Sequence, residues 1–349
     1  MSDKVIYLDR NEYNFAPAPQ IVEAMRSFDP GKLCFYTRVY GDGKKSILSD
    51  YISELYGIPE DRVILGYGGE DILKQIVHFR LAGKEKVKKM LVPKYSWWYY
   101  KSIADEVEGT SVLYPLVEDG NTFSYDIPAL RSMVERERPE ILLIASPNNP
   151  TGNSLTPQEL ETILSFTPQE TTVVIDEAYA SFTTKDTGYI RLLLEKHPNL
   201  LIVRTFSKFY GLPGLRLGFA FAGESLGKFL EYSTKYLGYN RISEELGIAA
   251  LKATDYYEGT ARQMAEGRQL YMDELRPLEG FKVYDSQSNF ILVKYPTHLK
   301  DKLKAAFSDI GYVIKFMNEP DIDIHMRITL GTPEQNRIVA ETIKKTALE

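Results

Sequence analysis

Three short segments of this chain carry side chains that could do chemistry together. The first is Ser146-Pro147-Asn148-Asn149-Pro150-Thr151-Gly152, two asparagines and a glycine that follow an apolar run. Turn-forming residues dominate it, so a plain turn and a set of amide hydrogen-bonders are both open readings. The second is Ile175-Asp176-Glu177-Ala178-Tyr179, in which an apolar strand delivers a carboxylate at its end. An aspartate buried there needs a cationic partner or strong donors. A protonated pyridine nitrogen would be such a partner, and a helix N-cap is the alternative. The third runs from Arg204 through Thr205, Ser207, Lys208 and Arg216 to Phe219, interleaved with glycines. The hydroxyls of Thr205 and Ser207 with the guanidinium fork of Arg216 could hold a phosphate, with Lys208 beside it, and the glycines let backbone approach a ligand closely. The pattern Gly-x4-Gly-Lys-Ser/Thr does not occur, which excludes a Walker-type phosphate loop.

For these segments to act together the fold must bring them to one place. The middle of the chain alternates short apolar runs with amphipathic stretches. It predicts strands at 62–65, 89–92, 111–114, 140–145, 171–175, 200–205 and 215–221, and helices at 69–81, 127–137, 157–164 and 189–196. Runs such as Ile-Leu-Leu-Ile-Ala and Val-Val-Ile are continuous, as in strands covered on both faces. Thr156-Pro157-Gln158-Glu159 sets out a capping residue, a first-turn proline and an acid. The fold class is α/β, a large domain whose mainly parallel seven-stranded sheet is flanked by helices. Ligands of such sheets bind beyond the carboxyl ends of strands, where all three segments fall. The last third differs. It reads as helical from 242 to about 274, with short strands at 281–284, 290–294, 312–316 and 325–329 and a closing helix from about 333. This predicts a smaller α+β domain of residues 1–30 and 239–349, against a large domain of 31–238.

A length of 349 residues favours two domains, since a single core stops growing at roughly 250–300. The net charge of −6 argues against nucleic acid as a general partner. The lone Cys34 reads as a small, partly buried apolar residue; no zinc spacing exists, and no metal is expected. The opening Met1-Ser2-Asp3-Lys4 has no signal-type apolar core, and no apolar run approaches the ~18 residues of a membrane span. A cytoplasmic location without a membrane partner is the expectation.

Further segments extend the pattern. Gly66-Tyr67-Gly68-Gly69-Glu70-Asp71, Pro93-Lys94-Tyr95-Ser96-Trp97-Trp98 and Met326-Arg327-Ile328-Thr329-Leu330-Gly331 join residues 9–15 and the three segments above in one ordered set. That set resembles the fold type I, class I/II aminotransferases, and most of all their histidinol-phosphate aminotransferase branch. The branch's matching motifs are Gly-Asn-Gly-Ser-Asp-Glu, Pro-Thr-Tyr-Ser-Met-Tyr, Leu-Arg-Ile-Thr-Ile-Gly and an opening Asn-Glu-Asn-Pro. The likeness covers nearly the whole chain and is most specific in Arg-Thr-Phe-Ser-Lys…Gly-Leu-Arg-Leu-Gly.

The resemblance implies a pyridoxal 5′-phosphate enzyme of amino-acid biosynthesis. It would move an amino group between a donor, such as histidinol phosphate or an aromatic amino acid, and 2-oxoglutarate. It makes Lys208 the Schiff-base lysine, whose pKa burial and neighbouring cations should lower. It sets Asp176 against the ring nitrogen, Asn149 and Tyr179 on the phenolic oxygen, and Trp98 on the ring face, where the branch usually has tyrosine. The coenzyme phosphate would lie on the backbone N–H groups of Gly69 and Glu70 and on Thr205, Ser207 and Arg216. A tyrosine matching Tyr40 comes from the neighbouring subunit in this family, so a homodimer is implied. Arg327 would bind a substrate carboxylate. Two departures bear on substrate. Lys315 stands where the branch has an arginine that helps bind the substrate phosphate, keeping the charge and losing the fork. Asn11-Glu12-Tyr13-Asn14 lacks the usual fourth-place proline; Tyr13 and Asn14 are candidate substrate contacts, and Tyr13, Tyr36, Trp97 and Trp98 suggest an aromatic-accepting pocket. The same scaffold also serves decarboxylases and lyases of the phosphothreonine type, and non-catalytic coenzyme-binding proteins.

Overall fold

The structure, a computed structural model, describes residues 5–37, 43–83, 87–182, 187–235 and 238–349. Its strands are β1 (Ile6–Leu8), β2 (Val63–Gly66), β3 (Lys89–Pro93), β4 (Thr110–Tyr114), β5 (Leu116–Asp119), β6 (Thr122–Tyr125), β7 (Ile141–Ala145), β8 (Thr172–Asp176), β9 (Leu200–Thr205), β10 (Gly218–Ala222), β11 (Lys282–Val283), β12 (Phe290–Lys294), β13 (Tyr312–Phe316) and β14 (His325–Thr329). Seven form the large sheet in the order β2-β10-β9-β8-β7-β3-β4. From β9 to β4 the pairs are parallel, and β10 runs antiparallel to both β9 and β2. The carboxyl ends of β2, β7, β8 and β9 therefore open along one edge, where β10 begins.

The continuous apolar runs follow from cover on both faces. Leu142, Ile144, Val173, Ile175 and Ile202 pack into one cluster, and Leu143, Ala145, Val174, Leu201 and Val203 into another. Each fully buried aliphatic side chain contributes about 1.5–3 kcal/mol. Both clusters are dry, which is what makes a polar group at a strand end chemically unusual.

The smaller sheet has the order β1-β13-β14-β12-β11. Ile291, Val293, Met326 and Ile328 face the helices Thr254–Leu275 and Pro333–Leu348 through Met264, Tyr271, Val339 and Ile343. The alternate residues face the other way. Arg327 lies directly across from Leu292 on one side and Lys315 on the other, so all three share that face. Leu292 belongs to a cluster of the large sheet, so this face and its two cations are turned toward it.

The expected cap at Thr156 is formed, and it closes as a full capping box, with Thr156 and Glu159 each satisfying the other's backbone. Other expectations are corrected. The strand expected from 215 starts at Gly218, because Pro213–Leu215 closes into a 3₁₀ turn and Arg216 takes φ 49°. The helix expected to span 242–274 breaks at Ala253 into Arg241–Lys252 and Thr254–Leu275. The hairpin β5–β6 was not expected; Tyr284 reaches from the smaller sheet to donate to its Glu118 at 2.8 Å. Cys34 is exposed, in a 3₁₀ turn with no buried residue. Among the described residues no helix is long and apolar enough to cross a membrane.

One backbone contact fixes the edge where the strands open. A Cβ on Gly218 would lie 2.4 Å from the amide nitrogen of Gly69 and 2.5 Å from the carbonyl carbon of Gly68. Neither atom can swing aside as a side chain would. Gly218→Ala should therefore lose on the order of 1–3 kcal/mol, read as a lower urea midpoint. An unchanged midpoint would mean that β10 and the helix start can part without cost.

Candidate active site

Parallel pairing lines up three strand ends. Ala145 of β7 pairs with Asp176 of β8, which pairs with Val203 of β9. The chain just beyond these strands supplies Asn149, then Tyr179, then Lys208. Two cis peptide bonds, Ser146-Pro147 and Asn149-Pro150, shape the first turn. Asn148 stays inside it, donating to the Tyr95 carbonyl and to Thr151 Oγ1, both at 2.6 Å.

Asp176 is buried at the tip of β8. Its Oδ1 accepts from the Ala178 amide at 3.0 Å and its Oδ2 from the Tyr100 hydroxyl at 2.6 Å. Burial pushes its carboxyl pKa up, while these two donors and the charge of Lys208 pull it back. No ion pair joins it to any described cation. Lys208 is half-buried; its Nζ donates to the carbonyls of Arg10 at 3.1 Å and Asn11 at 3.4 Å, and lies 5.9 Å from the Tyr179 ring. Burial draws the amine down to about 8, with Arg327 and Arg216 adding to the shift and Glu12 and Asp176 opposing it.

The buried Tyr179 hydroxyl accepts from Asn11 Nδ2 at 2.9 Å. Burial pushes it up to about 12, against the pull of Arg327 and of that bond. Arg327 ties the smaller sheet to this group: its Nη1 donates to Asn149 Oδ1 at 2.5 Å and its Nη2 to the Asp9 carbonyl. Its Nε is buried without a partner, and no described carboxylate pairs with it.

A second half of the site lies at the edge of β2 and β10. The helix Gly69–Leu81 starts from Gly68 at φ 84°, and no side chain caps it. Its first N–H groups therefore need another acceptor. Thr205 Oγ1 lies 2.9 Å from Ser207 Oγ and accepts from the Ser207 amide at 3.1 Å. Arg216 is exposed, with Nη2 3.4 Å from Glu70 Oε2, and a Cβ on Gly68 would meet that same nitrogen at 2.8 Å. Two hydroxyls, an uncapped helix start and a guanidinium thus surround one small space, a donor set suited to a phosphate.

The structure brings together Gly69, Glu70, Thr205, Ser207 and Arg216, and beside them Asn149, Asp176, Tyr179, Lys208 and Arg327, with Lys315 next to Arg327. It does not assemble the expected aromatic pocket. The Tyr13 hydroxyl donates to Thr260 at 2.8 Å and its ring fills the slot beside Gly211. Asn14 donates to the Tyr7 carbonyl at 3.4 Å. Trp97 packs on Tyr99 and Tyr100, while Tyr36 and Trp98 are 68% and 63% exposed. Tyr40 lies outside the described residues. Three further residues, of which only Asn11 stood in a motif, were given no role from the sequence. Asn11 sits at φ 57°, is buried and bridges Tyr179 to Lys208 through its amide and carbonyl. Asn289 donates to the Asn11 carbonyl at 3.0 Å. Tyr100 holds Asp176. A buried asparagine with positive φ gives little signal in one sequence, and Tyr100 is hidden in a run of four aromatics.

The fold and the sequence together define the family of this chain. The chain belongs to the aminotransferase class I and II family, whose description matches residues 3–343 and whose members work with pyridoxal 5′-phosphate. It is 31% identical over 341 residues to the histidinol-phosphate aminotransferase of Ruminiclostridium cellulolyticum, covering 97% of this chain and 91% of that protein. The structure of the histidinol-phosphate aminotransferase of Sinorhizobium meliloti in complex with pyridoxal-5′-phosphate shares the fold, with a TM-score of 0.86, 23% identity and coverage of 99% and 92%. So does the L-threonine-O-3-phosphate decarboxylase of Porphyromonas gingivalis, at 0.81, 20%, 99% and 100%.

The lowered pKa of Lys208 bears directly on its reactivity toward an aldehyde, since only the neutral amine can form an imine. With a pKa of about 8, the neutral amine rises from about a tenth of the population at pH 7 to a majority above pH 8. Coenzyme uptake by the apoprotein, followed by absorbance, should accelerate with pH about a midpoint near 8. Arg327→Leu removes a repelling charge and should move that midpoint upward. A wild-type midpoint near 10 would contradict the burial of this amine.

Proposed function

We propose that this chain is a homodimeric aminotransferase that moves the amino group of histidinol phosphate to 2-oxoglutarate. The residues present fit pyridoxal phosphate: an uncapped helix start with two hydroxyls and Arg216 for its phosphate, Asp176 for its ring nitrogen, Asn149 and Tyr179 for its phenolic oxygen, and an amine at Lys208. When bound, the coenzyme supplies an electron sink for the carbanion formed at the substrate carbon. Asp176 keeps the ring nitrogen protonated. Lys208 is the covalent anchor and, once released, its neutral Nζ takes the proton from that carbon. Tyr179, held by Asn11, keeps a hydroxyl on the phenolic oxygen.

The observation that carries the substrate is the pair Arg327 and Lys315. They lie directly across from one another on one sheet face, and no ion pair joins either to a described carboxylate. Two such cations suit an anionic substrate group, either the phosphate of the donor or a carboxylate of the acceptor. Histidinol phosphate has no carboxylate, so its reaction here is amino transfer and cannot be decarboxylation. A phosphothreonine-type decarboxylation is the competing reaction on this scaffold.

The dimer is supported by exposed apolar surface near the phosphate end of the site. Leu33, Phe35 and Tyr36 are exposed; Thr37 lies against Gly238, and neighbouring Tyr239 stacks on exposed Tyr67 at 4.8 Å. On this reading Tyr40 of the partner subunit completes the coenzyme site. Light scattering should give twice the chain mass, and Phe35→Asp should shift it toward the monomer and weaken coenzyme binding. A wild-type monomer with full coenzyme affinity would remove the dimer from the proposal.

The reaction itself is tested with histidinol phosphate and 2-oxoglutarate, reading glutamate, and with O-phosphothreonine, reading CO2. Glutamate without CO2 is expected, and CO2 alone would transfer the chain to the decarboxylases. Borohydride reduction should leave the coenzyme on the peptide containing Lys208, and Lys208→Ala should abolish both the adduct and turnover. Lys315→Arg restores a planar fork and should lower KM for the phosphorylated donor severalfold. An unchanged KM would exclude Lys315 from phosphate binding.

A further inference from the structure

We infer that Tyr100 is a positioning residue for the reaction, acting through Asp176 to keep that carboxylate ionised and aimed at the coenzyme's ring nitrogen. The inference rests on the assignment of Asp176 to that nitrogen. Its basis is one contact: the Tyr100 hydroxyl donates to Asp176 Oδ2 at 2.6 Å, and both residues are buried.

Tyr100 approaches from the core. It lies in the first turn of the helix Tyr99–Asp105 and belongs to the apolar cluster that holds Ile103, Ala104, Val92, Ala145 and Val174, its ring edge-on to Trp97 at 5.6 Å. Strand alternation points Asp176 to the same side of β8 as Val174, toward that ring. The hydroxyl therefore meets Asp176 from within the packed layer, and the ring that carries it is clamped by the sheet. Burial and the neighbouring carboxylate push the phenol well above its ordinary pKa, so it remains a donor at any pH at which the enzyme works.

The two donors on Asp176 divide its oxygens between them. Ala178 N–H takes Oδ1 and Tyr100 O–H takes Oδ2, from a carboxylate with about four lone-pair sites. Lone pairs remain for a ring N–H, while rotation of the carboxylate is blocked. Without the Tyr100 hydroxyl, Oδ2 would sit in an apolar layer with one fewer donor, and burial would drive the group toward its neutral acid. A neutral acid holds a ring N–H far less well than a carboxylate does, because the charge-assisted bond is lost. Nothing else described donates a side-chain hydrogen bond to Asp176.

The test compares two coenzymes within one protein. Pyridoxal phosphate and its 1-deaza analogue, with C–H in place of the ring nitrogen, are titrated into the apo forms of wild type and Tyr100→Phe by absorbance. Wild type should prefer pyridoxal phosphate. Tyr100→Phe should lose about tenfold of that preference, the worth of one hydrogen bond to a charged group, and should bind the deaza analogue as wild type does. Because the ratio is taken within each protein, a general loss of stability weakens both ligands alike and cancels. If wild type binds the two equally, the assignment of Asp176 fails. If wild type discriminates and Tyr100→Phe discriminates as well, with both affinities unchanged or falling in parallel, Tyr100 is a packing residue and the inference is overturned.

Discussion

A carboxylate held out of water without a cation beside it is the constraint on which this site turns. The desolvation penalty for such an ion is several kcal/mol, and hydrogen bonds offset only part of it. Asp176 has two donors and no ion pair among the described residues. It must therefore take up a proton or meet a cation from outside the chain. On the proposed assignment a protonated pyridine nitrogen answers that need, and coenzyme binding and ionisation of Asp176 would then be linked, each favouring the other. Lys208 presents the mirror image. Burial disfavours its charged amine and lowers the pKa to about 8, and the charges of Arg327 and Arg216 add to the shift. One group at a strand tip favours a cation and its neighbour favours neutrality, and the pair suits an electron sink with a base beside it.

Backbone geometry makes this possible. Parallel pairing places the ends of β7, β8 and β9 side by side, so three loops from distant parts of the chain meet without long connections. The antiparallel β10 then brings Gly218 against the start of the helix Gly69–Leu81, where no Cβ fits. Gly68, in the left-handed region at φ 84°, turns the chain from β2 into that helix without an obstructing side chain near Arg216. The groups proposed to hold the phosphate and the ring thereby share one edge of one sheet.

How far this was legible in the sequence depended on the kind of signal. Dry strands announce themselves as continuous apolar runs, and β9 and β12–β14 fell where periodicity placed them. Asp176, Lys208 and Arg216 stand out because they sit in motifs that combine hydroxyls, glycines and charges just beyond such runs. The hairpin β5–β6 was hidden because its strands are four residues each and rest on the smaller sheet, a contact that only tertiary structure creates. The break at Ala253 was hidden because alanine is a strong helix former and no glycine or proline marks the junction. Tyr13 misled for the opposite reason. An aromatic near a catalytic motif looks like a substrate contact, yet its hydroxyl is held by Thr260 and its ring by the slot at Gly211. Asn11 and Asn289 act through hydrogen bonds to residues 168 or more positions away, and no local pattern encodes such bonds.

Two arginines show how the fold separates framework from site. Arg204 is buried beside Glu177 at 2.8 Å, with the hydroxyls of Tyr56 and Tyr189 within 3.3 Å. Its charge is matched inside the protein, and removing either partner would strand the other. That pair sits one residue from Asp176 and one from Thr205, so it locks the tips of β8 and β9 together while presenting no net charge to the cleft. Arg327 is treated differently. It donates to an amide oxygen and a carbonyl, both uncharged, and its Nε has no partner. Dipoles orient a guanidinium without neutralising it, so Arg327 keeps a full positive charge in a fixed direction. A cation held in that way is stabilised further only when an anion arrives, and the free energy of that encounter is available to bind substrate.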